Sequence, residues 1–205
     1  RQRLEAFQPQ GQLRSLYLTG EGTAWRSLQA RFSDLQVRAV DKLPGVSGLN
    51  GWLTATPEGG LADLRGDAVG LMLPEFYDHA LEAAFTGALR WSLEEQSWTL
   101  DTGAIRARNP DARGVAMARV RGGAEHIPEL RLLADLFDGD GARASHYIPL
   151  GRLPDGLGNW LTQAFRGGHL DHGQFLYQGP VKIDRQRQQD RTFQMRYQAR
   201  DVALS

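Results

Sequence analysis

Apolar and polar residues alternate along most of the chain, with the period of two that belongs to strands having one buried and one wet face. The longest run is Leu81 to Leu93. Leu81, Ala83, Phe85, Leu89, Trp91 and Leu93 share one side, and Glu82, Thr86, Arg90 and Ser92 the other. After the polar break Glu94-Glu95-Gln96-Ser97 the alternation resumes at Trp98 and Leu100, which predicts a hairpin. Phe193, Met195, Tyr197 and Ala199 alternate with Gln194, Arg196, Gln198 and Arg200, and Leu130, Leu132, Ala134 and Leu136 mark a further strand. Weaker strand patterns cover 28–37, 51–55, 61–73, 115–120 and 173–178, whereas residues 1–24 form a poorly defined N-terminal segment.

Three of these runs, 30–37, 64–71 and 197–204, share a form: a short alternation, an aspartate near the middle (Asp34, Asp67, Asp201), then apolar residues shifted in phase. A phase shift inside a strand is the mark of a bulge, and repeated bulges curve a sheet. One segment has helical spacing. From Pro154 to Arg166, Leu157, Trp160, Leu161, Ala164 and Phe165 fall on one stripe, with Gly167-Gly168 in the place of a C-terminal cap. A shorter helix is predicted around 141–147, stopped by Pro149. The fold class is therefore mainly β with one or two helices. An extended, curved antiparallel sheet is expected, with helix 154–166 packed on or near it. Residues 25–205 are expected to make a single elongated β-rich region.

Composition narrows the chemistry. Lys plus Arg and Asp plus Glu are both 24, so the balance is neutral and argues against a nucleic-acid partner. Only Lys42 and Lys182 are lysine, and the arginine excess reads as a bias of the whole chain. With no cysteine there is neither disulfide nor thiolate chemistry. His169-Leu-Asp-His172 lacks a third ligand nearby for zinc, and Asp138-Gly-Asp140-Gly has Ala142 and Pro149 where a calcium loop needs oxygen ligands. No nucleophile elbow or phosphate-binding glycine pattern occurs. The sequence thus predicts no enzyme, catalytic residue, metal or cofactor. The run Arg185-Gln-Arg187-Gln-Gln-Asp-Arg191 reads as a solvated hairpin loop. The chain starts at Arg1 and its last residues continue a strand pattern, so an interior section of a longer protein is expected. Its open strand edges would favour pairing between copies.

Four blocks carry a family resemblance. Leu43-Pro-Gly-Val-Ser-Gly-Leu-Asn-Gly-Trp-Leu is similar to the "LPG-x-SGL-x-G-x-L" turn and strand of the bacterial YhdP family, within the AsmA-like group. Asn109-Pro-Asp-Ala-Arg-Gly resembles that family's "N-A-D-A-R-G" junction, with Pro110 in place of alanine. Tyr147-Ile-Pro with the block 157–170, and then Gly173-Gln-Phe-Leu-Tyr-Gln-Gly, follow in the family's order. The resemblance implies a large protein anchored in the inner membrane by an N-terminal helix and extending through the periplasm. Its apolar β groove would move phospholipid between inner and outer membranes, with acyl chains as partners.

Candidate groove-lining residues are Leu81, Phe85, Leu89, Trp91, Phe193, Met195 and Tyr197. An acyl chain requires continuous apolar surface and no fixed hydrogen bonds, which an alternating strand supplies. The same side chains equally fit an ordinary packed core, and a scaffolding β module of the envelope without lipid binding is the alternative.

Overall fold

The computed structural model describes residues 8–41, 43–74, 77–124, 126–147, 165–181 and 191–204. Eleven strands build one antiparallel sheet: β1 Gln10–Glu21, β2 Ala24–Val37, β3 Gly45–Thr56, β4 Gly59–Met72, β5 Ala80–Leu93, β6 Ser97–Thr102, β7 Ile105–Arg108, β8 Arg113–Gly123, β9 His126–Asp140, β10 Phe165–Pro180 and β11 Thr192–Leu204. They lie in chain order. β6 and β7 share the space between β5 and β8, because Leu89–Leu93 pair with β6 and Ala84–Thr86 with β7. They act as one strand interrupted at Gly103-Ala104, where the Gly103 N–H donates to the Ala88 carbonyl at 3.0 Å.

Every strand pattern of the sequence falls in a strand, including the hairpin at 94–97, which joins β5 to β6. Two strands have no counterpart in that pattern. β1 occupies the segment left undefined and pairs with β2 from Gln10 to Glu21, and β7 is a four-residue strand too short for periodicity to reveal. A short 3-10 turn, Gly141–Tyr147, stands where the shorter helix was expected. Most of the segment 154–166 lies outside the described residues. Its last two residues open β10, with Phe165 opposite Leu204, so the helix does not extend through them. Gly167-Gly168 is not a helix cap. Gly168 has φ +116° and sits within β10 against Asp201 and Val202, where β10 and β11 slip register.

The three aspartate phase shifts all fall on irregularities of the sheet. Asp34 (φ 52°) lies in β2 beside a slip between Phe32 and Leu35, and Asp201 (φ 52°) lies in β11 opposite Gly168. Asp67 lies in β4 at a slip between Gly66 and Val69. Asp138 (φ 55°) adds another in β9. These sites form a line across the sheet. Gly11 adjoins Asp34, whose N–H donates to Asn50 Oδ1 at 3.1 Å, and Gly48 (φ +71°) adjoins Ala68. Ala84 then pairs with Arg108, Arg108 with Arg113, and Arg113 with Phe137, the neighbour of Asp138. Aspartate tolerates the left-handed region better than most residues, and each bulge bends its strand and raises its twist.

At this line β7 turns back into β8, leaving no strand between the outer ends of β5 and β9. Asn109 shapes the turn, its Oδ1 accepting from Asp111 N and Ala112 N, both at 3.0 Å. Tyr147 fills the notch. Its hydroxyl donates to Asp111 Oδ2 at 2.9 Å and accepts from Asn109 Nδ2 at 2.6 Å. The Asn109 amide also reaches the Glu82 carbonyl of β5 at 3.2 Å, and Tyr77 donates to the Tyr147 carbonyl at 2.9 Å. Asp140 N at the end of β9 donates to the Asp111 carbonyl at 2.8 Å. Partial burial pushes the Tyr77 and Tyr147 phenols above their ordinary range.

Few side chains are covered. Among the described residues only Ala30, Leu49, Ala62 and Val69 form a buried apolar set, and no large side chain is fully buried. The sheet has no second layer among the described residues.

Replacing Asp34 with Val should cost about 1–2 kcal/mol, the penalty of a side chain unsuited to the left-handed region, while Asp34→Gly or Asp34→Asn should be near neutral. Urea unfolding of the three variants decides this, and equal losses would refute a conformational role. Tyr147→Phe should cost about 1–3 kcal/mol by orphaning Asn109 and Asp111. Combined with Asn109→Ala it should cost less than the sum of the single losses, since the two share one hydrogen-bond set.

Candidate functional site: the apolar sheet face

Because directly opposed residues of an antiparallel pair point to the same face, the register sorts every side chain. Phe85, Ala107, Gly114, Leu136, Gly173 and Tyr197 form one continuous row from β5 to β11. Two residues along, Ile105, Ala116, Ala134, Phe175 and Met195 make a second row. Ala118, Leu132, Tyr177 and Phe193 make a third, which Leu89 and Thr102 continue towards β5. On the other side of β5 the face runs on through Leu64, Gly51 and Phe32, and through Ala62, Leu53, Ala30 and Leu16. None of these positions carries a charge. The polar tips are satisfied locally: Tyr177 donates to the Pro180 carbonyl at 2.7 Å, and Thr102 Oγ1 accepts from Ala118 N at 2.8 Å.

All seven sequence-predicted residues lie on this face. Leu81, Phe85, Leu89 and Trp91 line it from β5, and Phe193, Met195 and Tyr197 from β11. The two groups do not touch. Five strand spacings of about 4.8 Å separate them, or roughly 24 Å. What joins them is a lane of small side chains that the sequence pattern missed: Ala107, Gly114, Ala116, Ala118 and Ala134. Periodicity weighs alanine and glycine too lightly to mark them. From Gly114 to Val120 the lane runs about 20 Å along β8.

The rim is aromatic. Trp91 is opposite Gly60 and Trp98 opposite Gly122, and each indole occupies the space a side chain on its glycine would need. Bare glycine under a large ring lets the ring lie against the sheet. Phe175 and Phe193 meet edge to face with centroids 5.1 Å apart. Exposure is greatest at both sheet edges: Leu16 is 52% and Met195 63% accessible.

The opposite face holds the charge and is mostly polar, with Met117, Leu133 and Leu176 as an apolar row within it. Arg119 pairs with Asp101, Arg113 with Asp138, and Arg200 with Asp171 at 2.9 Å. His172 Nε2 meets Asp135 Oδ1 at 2.8 Å, and this bond is the main reason that the Asp135 carboxyl is held below its ordinary range. The Asp138 carboxyl is lowered chiefly by its hydrogen bond from Arg113. Arg113 stacks 4.8 Å above the Phe137 ring, which lies parallel to His172. The two histidines of the His169–His172 motif thus engage separate carboxylates, His169 lying 3.7 Å from Asp171. Among the described residues no cluster could hold a metal ion, and no helix is long and apolar enough to cross a membrane.

Comparison with known proteins agrees with the resemblance in the motif blocks. Two of those blocks, around Asn109 and Tyr147, meet in the notch. The "Intermembrane phospholipid transporter YhdP" of Escherichia coli (strain K12) is 26% identical over 185 residues. The alignment covers 86% of this chain but 14% of that protein, so the chain spans a small part of its relative's length. No solved structure matches the chain. The family described as YhdP protein matches residues 1–205, the whole chain, which therefore belongs to the YhdP family.

Proposed function

We propose that this chain is a section of a periplasmic, non-catalytic protein that moves phospholipid between the inner and outer membranes, with the acyl chains lying on its apolar sheet face. The observation that carries this reading is an apolar face running uncharged from β1 to β11 with no layer over it among the described residues. Apolar surface left open on that scale calls for a partner. An acyl chain suits it because it offers no hydrogen bonds, and the face asks for none. Each methylene removed from water contributes about 0.8 kcal/mol. The lane of small residues between the β5 and β10–β11 aromatics gives the chain a bed, and the line of bulges bends the strands towards a groove. The relative's role as an intermembrane phospholipid transporter supports the same reading.

A scaffold in which the face packs against protein is the alternative, and one experiment separates them. Protein purified from membranes in mild detergent should carry phospholipid detectable by native mass spectrometry and lipid extraction. Ala116→Asp in the lane, and Phe85→Asp with Leu89→Asp at its side, should each reduce bound lipid by about tenfold or more, because an unpaired charge in apolar surroundings is costly. Thr86→Asp on the opposite face should leave it unchanged. Lipid-free protein, or equal loss on both faces, would favour the scaffold.

A further inference from the structure

The polar face carries a recess of 1080 Å³ that the acyl-chain reading does not use. Its ionisable lining is six arginines, Arg14, Arg31, Arg65, Arg106, Arg108 and Arg113, against two aspartates, Asp63 and Asp67. The sheet explains the shape. Backbone and short side chains such as Ala84 and Thr86 make a low floor, and long arginines at alternate positions stand around it. Arg65 and Arg106 flank Thr86 from the two neighbouring strands, roughly 10 Å apart at the backbone. Arg108 lies directly opposite Arg113.

Elsewhere on this face several arginines have an acidic neighbour, although Arg131 is opposite Arg119. Arg119 has Asp101, Arg200 has Asp171, and Arg121 is opposite Glu129. In the recess Arg113 has Asp138, and Arg14 Nε donates to Ser33 at 2.9 Å. Among the described residues no carboxylate makes an ion pair with Arg31, Arg65, Arg106 or Arg108. Like charges directly opposed across a sheet are destabilising, so the cluster has a standing cost that a bound anion would remove. Guanidinium forks match phosphate oxygens two at a time.

We propose that this recess binds a phosphate-bearing anion, either an anionic phospholipid headgroup or a soluble phosphate ester or diphosphate. The inference stands apart from the acyl-chain reading, because the backbone of the sheet separates the two faces. A lipid whose tails lie on the apolar face cannot place its headgroup here through the sheet, so a headgroup in the recess belongs to a membrane surface or another lipid.

The test uses the purified protein, Arg65→Gln/Arg106→Gln, and a control of equal charge loss on the same face, Arg121→Gln/Arg131→Gln. Pyrophosphate is titrated by calorimetry, and phosphatidylglycerol vesicles are scored by co-flotation against phosphatidylcholine vesicles. Saturable pyrophosphate binding weakened about tenfold or more in the recess variant, but not in the control, identifies a soluble phosphoanion. Flotation with phosphatidylglycerol alone, lost only in the recess variant, identifies the headgroup. Arg65→Lys/Arg106→Lys should recover part of either signal, since charge returns without the fork. No saturable binding to either probe, or equal weakening in both glutamine variants, overturns the proposal. Circular dichroism and thermal midpoint guard against misfolding, and relief of repulsion should leave the recess variant no less stable than the wild type. Lipid carried on the apolar face should be unchanged in it, so the two proposals fail separately.

Discussion

Backbone pairing from strand to strand in one continuous antiparallel sheet is the constraint on which everything else in this protein depends. With few large side chains buried and no layer over the sheet, interstrand hydrogen bonds and cross-strand contacts have to hold the fold. The same register decides function, because a period of two admits no compromise. A slip of one residue in β8 would exchange Gly114, Ala116 and Ala118 for Arg113, Val115, Met117 and Arg119, placing guanidinium groups in the apolar lane.

Bulges are where the chain spends its exceptions to that register. A line of them runs through Asp34, Gly48, Asp138, Gly168 and Asp201 and crosses the sheet without mixing the two faces on its main part. The line also ends β7 early, and the opening is closed by side-chain hydrogen bonds rather than by another strand. Asn109 and Asp111 come from one turn and Tyr147 from a segment more than thirty residues on, and they satisfy one another there. Asn109 and Tyr147 of the family's motif blocks thus serve the architecture of the bend, while Gly51, Leu53, Gly114, Gly173, Phe175 and Tyr177 of those blocks lie on the apolar face.

Two chemistries are kept apart by one thickness of backbone. The apolar side tolerates Thr102 and Tyr177 because their hydroxyls are satisfied by neighbouring backbone. The polar side pairs Arg113, Arg119 and Arg200 with aspartates but leaves the recess between β1 and β8 in positive excess. That excess was hidden in the composition, where arginines and acids cancel. A neutral total says nothing about how opposite charges are distributed over a sheet.

The sequence by itself determined the strands and their facing. Alternation fixes which side chains share a side, so Leu81, Phe85, Leu89 and Trp91 group together on β5 and Phe193, Met195 and Tyr197 on β11, and the aspartate phase shifts marked real irregularities. It was mute where periodicity has too few residues or too little contrast, as in β7, β1 and the small residues of the lane. It misread Gly167-Gly168, because a glycine with positive φ serves a helix end and a strand bulge alike. Tertiary structure alone decided that β5 and β11 present the same face five strands apart, that Asn109 meets Tyr147, and that Arg65 and Arg106 stand together. These are facts of pairing between distant segments, and the alternation of a single strand carries no information about which strand lies beside it.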